Sequence, residues 1–277
     1  MHVNGHWVHD LNPMIIDFGG GFGLRWYGLA YLLGFLIGYW LLRRLRRRGL
    51  SPLTEEQEAS AVGVLILGVI LGGRLGYLLL YRFGEWTTDP FMVFRVWEGG
   101  MSSHGGFLGV AAACAWLTLR WRISFPVWAD LLAFCVPAGL FLGRIANFIN
   151  GELWGTVSRV PWAVVFPNSA PPGTPLEAVP PRHPSQLYEA LLEGLVLLAF
   201  TQWRVWKTPV LRTPGRLTGE FLLLYSAGRV LAEPVPEPAA ALVTGLPRGV
   251  FYTLFLVLLG VGFLLWSRRP PAPISGK

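Results

Sequence analysis

Two sets of polar residues interrupt runs that are otherwise apolar. Arg144, Asn147 and Asn150 stand in GRIANFINGELWG, residues 143–155, directly after ADLLAFCVPAGLFL. Their i, i+3, i+6 spacing places them on one face of a helix, with Glu152 just beyond. Tyr225, Arg229 and Glu233 repeat the pattern at i, i+4, i+8. A charge held at membrane mid-depth costs about 2.5–3.5 kcal/mol on insertion scales, so each arginine needs a compensating partner. Local pairing is one answer: Arg229 with Glu233, and Arg144 with Glu152 or a helix end. One carboxylate cannot use all five guanidinium donors, so such pairing still leaves room for an anion. Arginine presents a planar fork that fits phosphate, and asparagine adds neutral donors that can read hydroxyls. Several arginines around one phosphate would also stabilise the extra charge it gains as a leaving group.

A possible base lies elsewhere in the chain. His104 stands in EGGMSSHGGFLGV, where glycines allow tight turns and close approach. A histidine at a helix start can be a cap, but histidine is also the usual general base near neutral pH. His183, in RHPSQLYE, reads first as a cap, with His183 at N-cap, Pro184 at N1 and Gln186 at N3. Arg74 lies in LGGRLGY, and Gly68 and Gly72 in GVILGG permit close helix packing. The segment WTTDPFMVFRVWEGG reads as an interfacial arm on the outer surface.

The elements that must position these residues are membrane helices. The 277-residue chain is 53% hydrophobic and 14% charged, with mean hydropathy +0.47. Soluble domains carry about 25% charged residues, so the expected class is an all-α polytopic membrane protein. Seven apolar runs are long enough to be spans, near 24–42, 60–81, 104–120, 127–149, 185–203, 217–233 and 249–266. Their even spread predicts one membrane domain over 1–277. The proline-rich insertion at 156–183 predicts a small non-helical head between the fourth and fifth spans. The N-terminus MHVNGHWVHDLN lacks a basic region followed by a short apolar core, so the first helix is expected to act as an uncleaved insertion signal. Cys114 and Cys135 sit in apolar runs and read as small buried hydrophobes.

The net charge of +7 is carried in short clusters between apolar runs, which argues against nucleic acid and for membrane orientation. Arg43 to Arg48, Arg120 and Arg122, Arg204 to Arg216, and Arg268 to Lys277 mark the cytoplasmic side. The N-terminus and the head then face outward. In that topology Tyr27, Arg74, His104, Arg144, Asn147, Asn150, His183, Tyr225, Arg229 and Glu233 all fall at the level of the outer leaflet. The most abundant anion there is a phospholipid phosphate, so the residues alone predict an outer-leaflet phosphate site.

RWYGLAYLLGF, GGRLGY, FRVWEGGMSSHGGFLG, GRIANFINGELWG and RHPSQLYE together resemble the bacterial prolipoprotein diacylglyceryl transferase family, over roughly residues 24–233. The resemblance implies transfer of diacylglycerol from phosphatidylglycerol to the lipobox cysteine of a prolipoprotein signal peptide. It also implies glycerol phosphate as the second product and a multi-pass location in the bacterial plasma (inner) membrane. By resemblance, Arg144 is a lipid-binding arginine and Arg229 a second essential one, with Tyr225 and Glu233 nearby. His104 matches the histidine proposed in catalysis, and Tyr27 an important tyrosine. The chain departs from the family at Thr156 and Pro236, where arginine is usual, and at TGLPRGVFYT around Arg248, where a Gly-Gln pair is usual.

The expected reaction is displacement at an sp3 carbon, with thiolate attacking and phosphate leaving. A free thiol has a pKa of about 8.5, so a base helps, and His104 is the candidate. Arg144 and Arg229 would hold the phosphate. Asn147, Asn150, Glu152, Tyr225, Tyr27, Arg74, Glu233 and His183 complete the substrate-binding set. No cofactor and no metal are expected, because no helix face offers the several carboxylates a divalent cation needs. A transporter of anions or lipids is the first competing reading, but it would carry polar groups through both leaflets and internal repeats. The others are a metal-dependent headgroup transferase and an inactive relative retained as a phospholipid-binding protein.

Overall fold

The computed structural model describes residues 1–19, 23–95, 99–232 and 248–268, without the side chains of Ser103 and residues 248–250. The chain divides into two compact units. One comprises Met1–Gly38 with Leu132–Lys277, and the other Tyr39–Leu131. The helices α1 (Trp26–Arg47) and α5 (Phe125–Ile149) each begin in one unit and end in the other.

All seven apolar runs fall on helices over their described residues: α1, α2 (Glu55–Tyr81), α4 (Ser103–Trp121), α5, the α6–α7 stretch (Ser185–Glu189, Leu197–Lys207), α8 (Arg216–Ala232) and α9 (Arg248–Ser267). Among the described residues three of these, α1, α2 and α5, are long and apolar enough to cross a membrane by length and composition. The first run starts later than expected, since Gly23–Arg25 is a strand and the helix opens at Trp26. The all-helical expectation is also corrected by two small sheets. Strands β1 (His2–Val3) and β2 (His6–Val8) are antiparallel, and β2 runs parallel to β5 (Val164–Val165). Strands β3 (Met14–Asp17) and β4 (Gly23–Arg25) form an antiparallel pair.

The unit Tyr39–Leu131 is organised by glycine. Gly68, Gly72 and Gly76 on α2 face Gly105, Gly109 and Ala113 on α4. A Cβ at Gly72 would lie 2.3 Å from the Gly105 carbonyl oxygen, and one at Gly109 would lie 1.9 Å from that of Gly68. Small residues let the backbones meet where apolar side chains would only exchange lipid contact for one another. The start of α4 is docked onto α2, because the Ser102 amide donates to the Gly73 carbonyl at 2.9 Å. Helix α2 opens on a capping box, in which the Gln57 amide donates to Thr54 Oγ1 and the Thr54 amide to Gln57 Oε1. Glu55 and Glu58 in its first turn pair with Arg46 at 3.0 and 2.9 Å, which ties the basic end of α1 to α2.

The segment after α2 forms α3 (Phe83–Thr88) and then a 3-10 turn, Pro90–Phe94, with Phe83, Phe91 and Phe94 exposed.

In the other unit, the head contains no α-helix between 156 and 183, only β5 and the 3-10 turns Pro167–Ser169 and Leu176–Ala178. Val3 and Val8 from the N-terminus pack with Val165 and Val179 into one small core. The N-terminal segment therefore packs with the proline-rich insertion. His9 extends this: it is buried against Trp7, Phe148 and Phe166, and its Nε2 meets the Phe148 carbonyl at 2.7 Å. Phe148 sits in the last turn of α5, and its carbonyl, which also accepts from the Gly151 amide at 3.0 Å, ties the N-terminal segment to that helix end.

Between α6 and α7 the chain forms a π-helical segment, Ala190–Val196. Its Gly194 presses on α5, since a Cβ there would lie 2.6 Å from the Phe141 Cα. Helices α8 and α9 meet at Gly219 and Gly260, where a Cβ on Gly219 would lie 2.8 Å from the Gly260 carbonyl oxygen.

Candidate functional site

Arg144 from α5 and Arg229 from α8 converge on two carboxylates. Arg144 pairs through Nη1 with Glu189 Oε2 at 2.9 Å and through Nη2 with Glu193 Oε2 at 3.1 Å. Arg229 Nη1 pairs with Glu189 Oε1 at 2.5 Å and with Glu193 Oε1 at 3.3 Å. The four side chains close into a ring in which every carboxylate oxygen meets a guanidinium. The glutamate side chains are 6% and 1% exposed, while the arginines are 22% and 20% exposed. The carboxylates are thus the more deeply buried partners and the cations the more exposed.

The backbone explains how two acids reach one point. Glu189 ends α6 and Glu193 lies in the π-helical segment. The wider π turn keeps residues four apart more nearly in line than an α turn does, and such segments recur at functional sites. Tyr225 sits one turn before Arg229 on α8, stacked on Phe221 and within electrostatic reach of all four members of the ring.

The alternative of a local pair between Arg144 and Glu152 is not the one the structure forms. Glu152 instead receives Asn147 Nδ2 at 2.8 Å and Asn150 Nδ2 at 3.3 Å on its Oε1. This folds the end of GRIANFINGELWG back on itself, helped by positive φ at Gly151 (62°) and Leu153 (58°). The turn is fastened to the start of α6. Gln186 Nε2 donates to the Glu152 carbonyl at 2.5 Å and Ser185 Oγ to the Leu153 carbonyl at 2.8 Å. Gln186 is fully buried. The Gly155 amide reaches the His183 carbonyl, and the His183 amide the Thr156 carbonyl.

The reading of His183 as a helix cap is also corrected. Pro184 occupies the N-cap of α6 and Ser185 is its first residue. His183 Nδ1 lies 3.1 Å from the Tyr188 hydroxyl, which in turn accepts from Trp162 Nε1 at 2.6 Å. His183, Tyr188 and Trp162 thus form a lateral chain of polar contacts. Tyr27 lies half-buried in the first turn of α1 against Tyr31. Glu233 lies outside the described residues, as do Pro236 and the TGLP segment.

His104 and Arg74 belong to the unit Tyr39–Leu131. His104 is exposed in the first turn of α4 and does not cap it; Ser102 does, with Oγ accepting from the Gly105 amide at 3.3 Å. Arg74 is 2% exposed. Its Nε and Nη2 donate to the Met92 carbonyl, and Nη1 donates to those of Gly99 and Gly100. Those bonds fasten the segment around Met92 and Gly99–Gly100 onto α2. Arg74 therefore acts on backbone here, which departs from its expected place in a phosphate site.

Glu189 and Glu193 were missed in the sequence. Their signal was present: two acids at i, i+4 inside the apolar run SQLYEALLEGLVLLAF, each as costly there as the arginines that were noticed. In this structure arginines occupy both.

The chain matches the family model "Prolipoprotein diacylglyceryl transferase" over residues 13–266. Among curated relatives, a phosphatidylglycerol–prolipoprotein diacylglyceryl transferase of Cereibacter sphaeroides is 47% identical, over 94% of this chain and 97% of its own length. One of Vibrio atlanticus is 44% identical over 94% and 92%. One of Roseobacter denitrificans is 42% identical over 94% and 97%.

Proposed function

This chain belongs to the prolipoprotein diacylglyceryl transferase family, and we propose that the ring of Arg144, Glu189, Arg229 and Glu193 is where it handles the lipid phosphate. The chain is a transferase that moves the diacylglyceryl group from phosphatidylglycerol to a prolipoprotein. The acceptor is the thiol of a lipobox cysteine in the signal peptide. The observation that carries the site is that two arginines from sequence-distant helices meet at one point, with their cations more exposed than their carboxylate partners.

The thiol gives up its proton, and the sulfur lone pair forms a bond to the glyceryl carbon. The bond from that carbon to the phosphate oxygen breaks, and its electron pair leaves on the phosphate. The products are a thioether and glycerol phosphate. Arg144 and Arg229 supply charge-assisted donors to the phosphate as that charge develops. Tyr225 borders them and helps orient the headgroup. Asn147, Asn150 and Glu152 shape the turn beneath the glycerol, and Gln186 and Ser185 hold that turn in place. Tyr27, His183 and Glu233 join the substrate set on family resemblance. His104 is assigned the thiol proton on the same ground.

Purified protein given phosphatidylglycerol and a lipobox peptide is expected to release glycerol phosphate in step with peptide lipidation. Absence of turnover in the folded protein would remove the assignment. His104→Gln keeps a polar side chain but removes the base. It is expected to bind phosphatidylglycerol nearly normally, turn over slowly, and recover in part as pH rises toward the thiol's own pKa of about 8.5. A lipid-binding measurement beside the rate profile checks this, and loss of binding would move His104 into the headgroup site.

The chain sits in the plasma membrane with seven spans. Its head and N-terminus are extracytoplasmic and its C-terminus is cytoplasmic, as the alternation of cation clusters supports. Single cysteines at Asn168 and Ser275, in a background without native cysteines, should react with an impermeant thiol reagent from opposite sides. Labelling from one side would overturn the orientation.

A further inference from the structure

The ring poses a problem of release. The bound lipid is a phosphodiester with one negative charge. The product is a phosphomonoester that carries about −1.5 to −2 at neutral pH. Two unscreened arginines in a half-buried site would hold that product more tightly than the substrate, and the enzyme would stall after one turnover. Arg144 and Arg229 are not unscreened. Each is paired to both Glu189 and Glu193, and the formal charges of the four groups cancel. The two carboxylates are more deeply buried than the arginines and use all four oxygens on them, so they stay with the arginines whichever anion binds.

We infer that Glu189 and Glu193 are counterweights that set the charge selectivity of the site. They let Arg144 and Arg229 keep their donor geometry for a phosphodiester while removing the net positive charge that would trap a phosphomonoester dianion. This rests on the transferase reading and adds a role for two acids that reading does not use. The glutamates act through the arginines and are positioning residues. Arg144 shows the division of labour: its pairs to the glutamates use Nη1 and Nη2, one contact on each. A guanidinium carries five N–H donors, so donors remain to be shared with a ligand.

The test compares two soluble probes on the full-length protein in detergent micelles: glycerol phosphate, a monoester, and glycerophosphoglycerol, a diester. The wild-type protein is expected to bind the two within about tenfold of each other. Glu193→Gln and Glu189→Gln each leave the ring with one excess positive charge. They should tighten the monoester relative to the diester by about ten- to a hundredfold, the range of one charge-assisted contact. Glu193→Asp keeps the charge and should keep the wild-type ratio, which a role in packing alone would not predict. With phosphatidylglycerol and a lipobox peptide, the glutamine variants should show a burst of one turnover followed by a slow phase set by product release.

An unchanged ratio in the glutamine variants overturns the inference. So does a wild-type protein that already prefers the monoester by well over tenfold, and that result decides the matter even if both glutamine variants fail to fold. Failure of the wild-type protein to turn over would instead strike at the transferase reading, since the two-probe comparison needs no catalysis.

Discussion

Arg144→Ala is expected to cost both fold and function, whereas Arg144→Lys should keep most of the fold and lose most of the activity. Alanine leaves Glu189 and Glu193, whose side chains are 6% and 1% exposed, with one guanidinium between them. Removing one partner of a buried ion pair destabilises by about 3–5 kcal/mol, because an uncompensated charge stays behind. Lysine keeps the positive charge and offers a single ammonium. Arg144 spans the ring with two separate nitrogens, one for each carboxylate, and one ammonium cannot hold both contacts and also present a planar face to phosphate. Losing one charge-assisted bond to an ion is worth about 1.5–3 kcal/mol, or roughly ten- to a hundredfold in rate. Arg229→Lys should behave alike. Thermal unfolding in detergent beside the turnover rate separates the two effects. Lysine variants that turn over normally would place the phosphate elsewhere.

Gly109→Ala is the second large effect, and it lies outside the ring. The added Cβ would fall 1.9 Å from the Gly68 carbonyl oxygen, a backbone atom that cannot rotate away. Helices α2 and α4 would have to separate, and overpacking of this kind costs about 1–3 kcal/mol or more. The consequence is functional because the same contact sets the start of α4. The Ser102 amide bonds the Gly73 carbonyl, Ser102 caps the helix, and His104 stands in its first turn. The expected result is a lower unfolding temperature together with reduced turnover. Gly63→Ala is the control, since on the same α2 nothing lies within 4 Å of its Cβ position. Equal behaviour of the two variants would show that the glycine stripe does not hold these helices together.

Arg144 and Arg229 stood out because a guanidinium in an apolar run is expensive wherever its partner lies. The partners did not stand out, because the reading looked for them locally. Arg144 meets Glu193 across 49 positions and Arg229 meets Glu189 across 40. Arg74 shows the opposite error. Its cost in the membrane suggested a ligand, yet its donors go to carbonyls 18 to 26 residues along the chain. A buried arginine announces that something must satisfy it. It does not say whether that is lipid, acid or backbone.

What the amino-acid order determined by itself is local and compositional. Apolar run lengths placed the helices, and proline kept 156–183 from forming one. The motif GRIANFINGELWG, with RHPSQLYE and the glycine-flanked His104, was specific enough to carry the family. What only the tertiary structure decided depends on segments meeting. The N-terminal strands complete the head around Val165 and Val179. His9 ties to the end of α5, and Ser102 rather than His104 caps α4. The π-helical segment brings Glu189 and Glu193 under two arginines. Hydrophobic periodicity reports which face of a helix is apolar. It carries no information on which distant charge that face will meet, because the energy of an ion pair depends on separation in space and not along the chain.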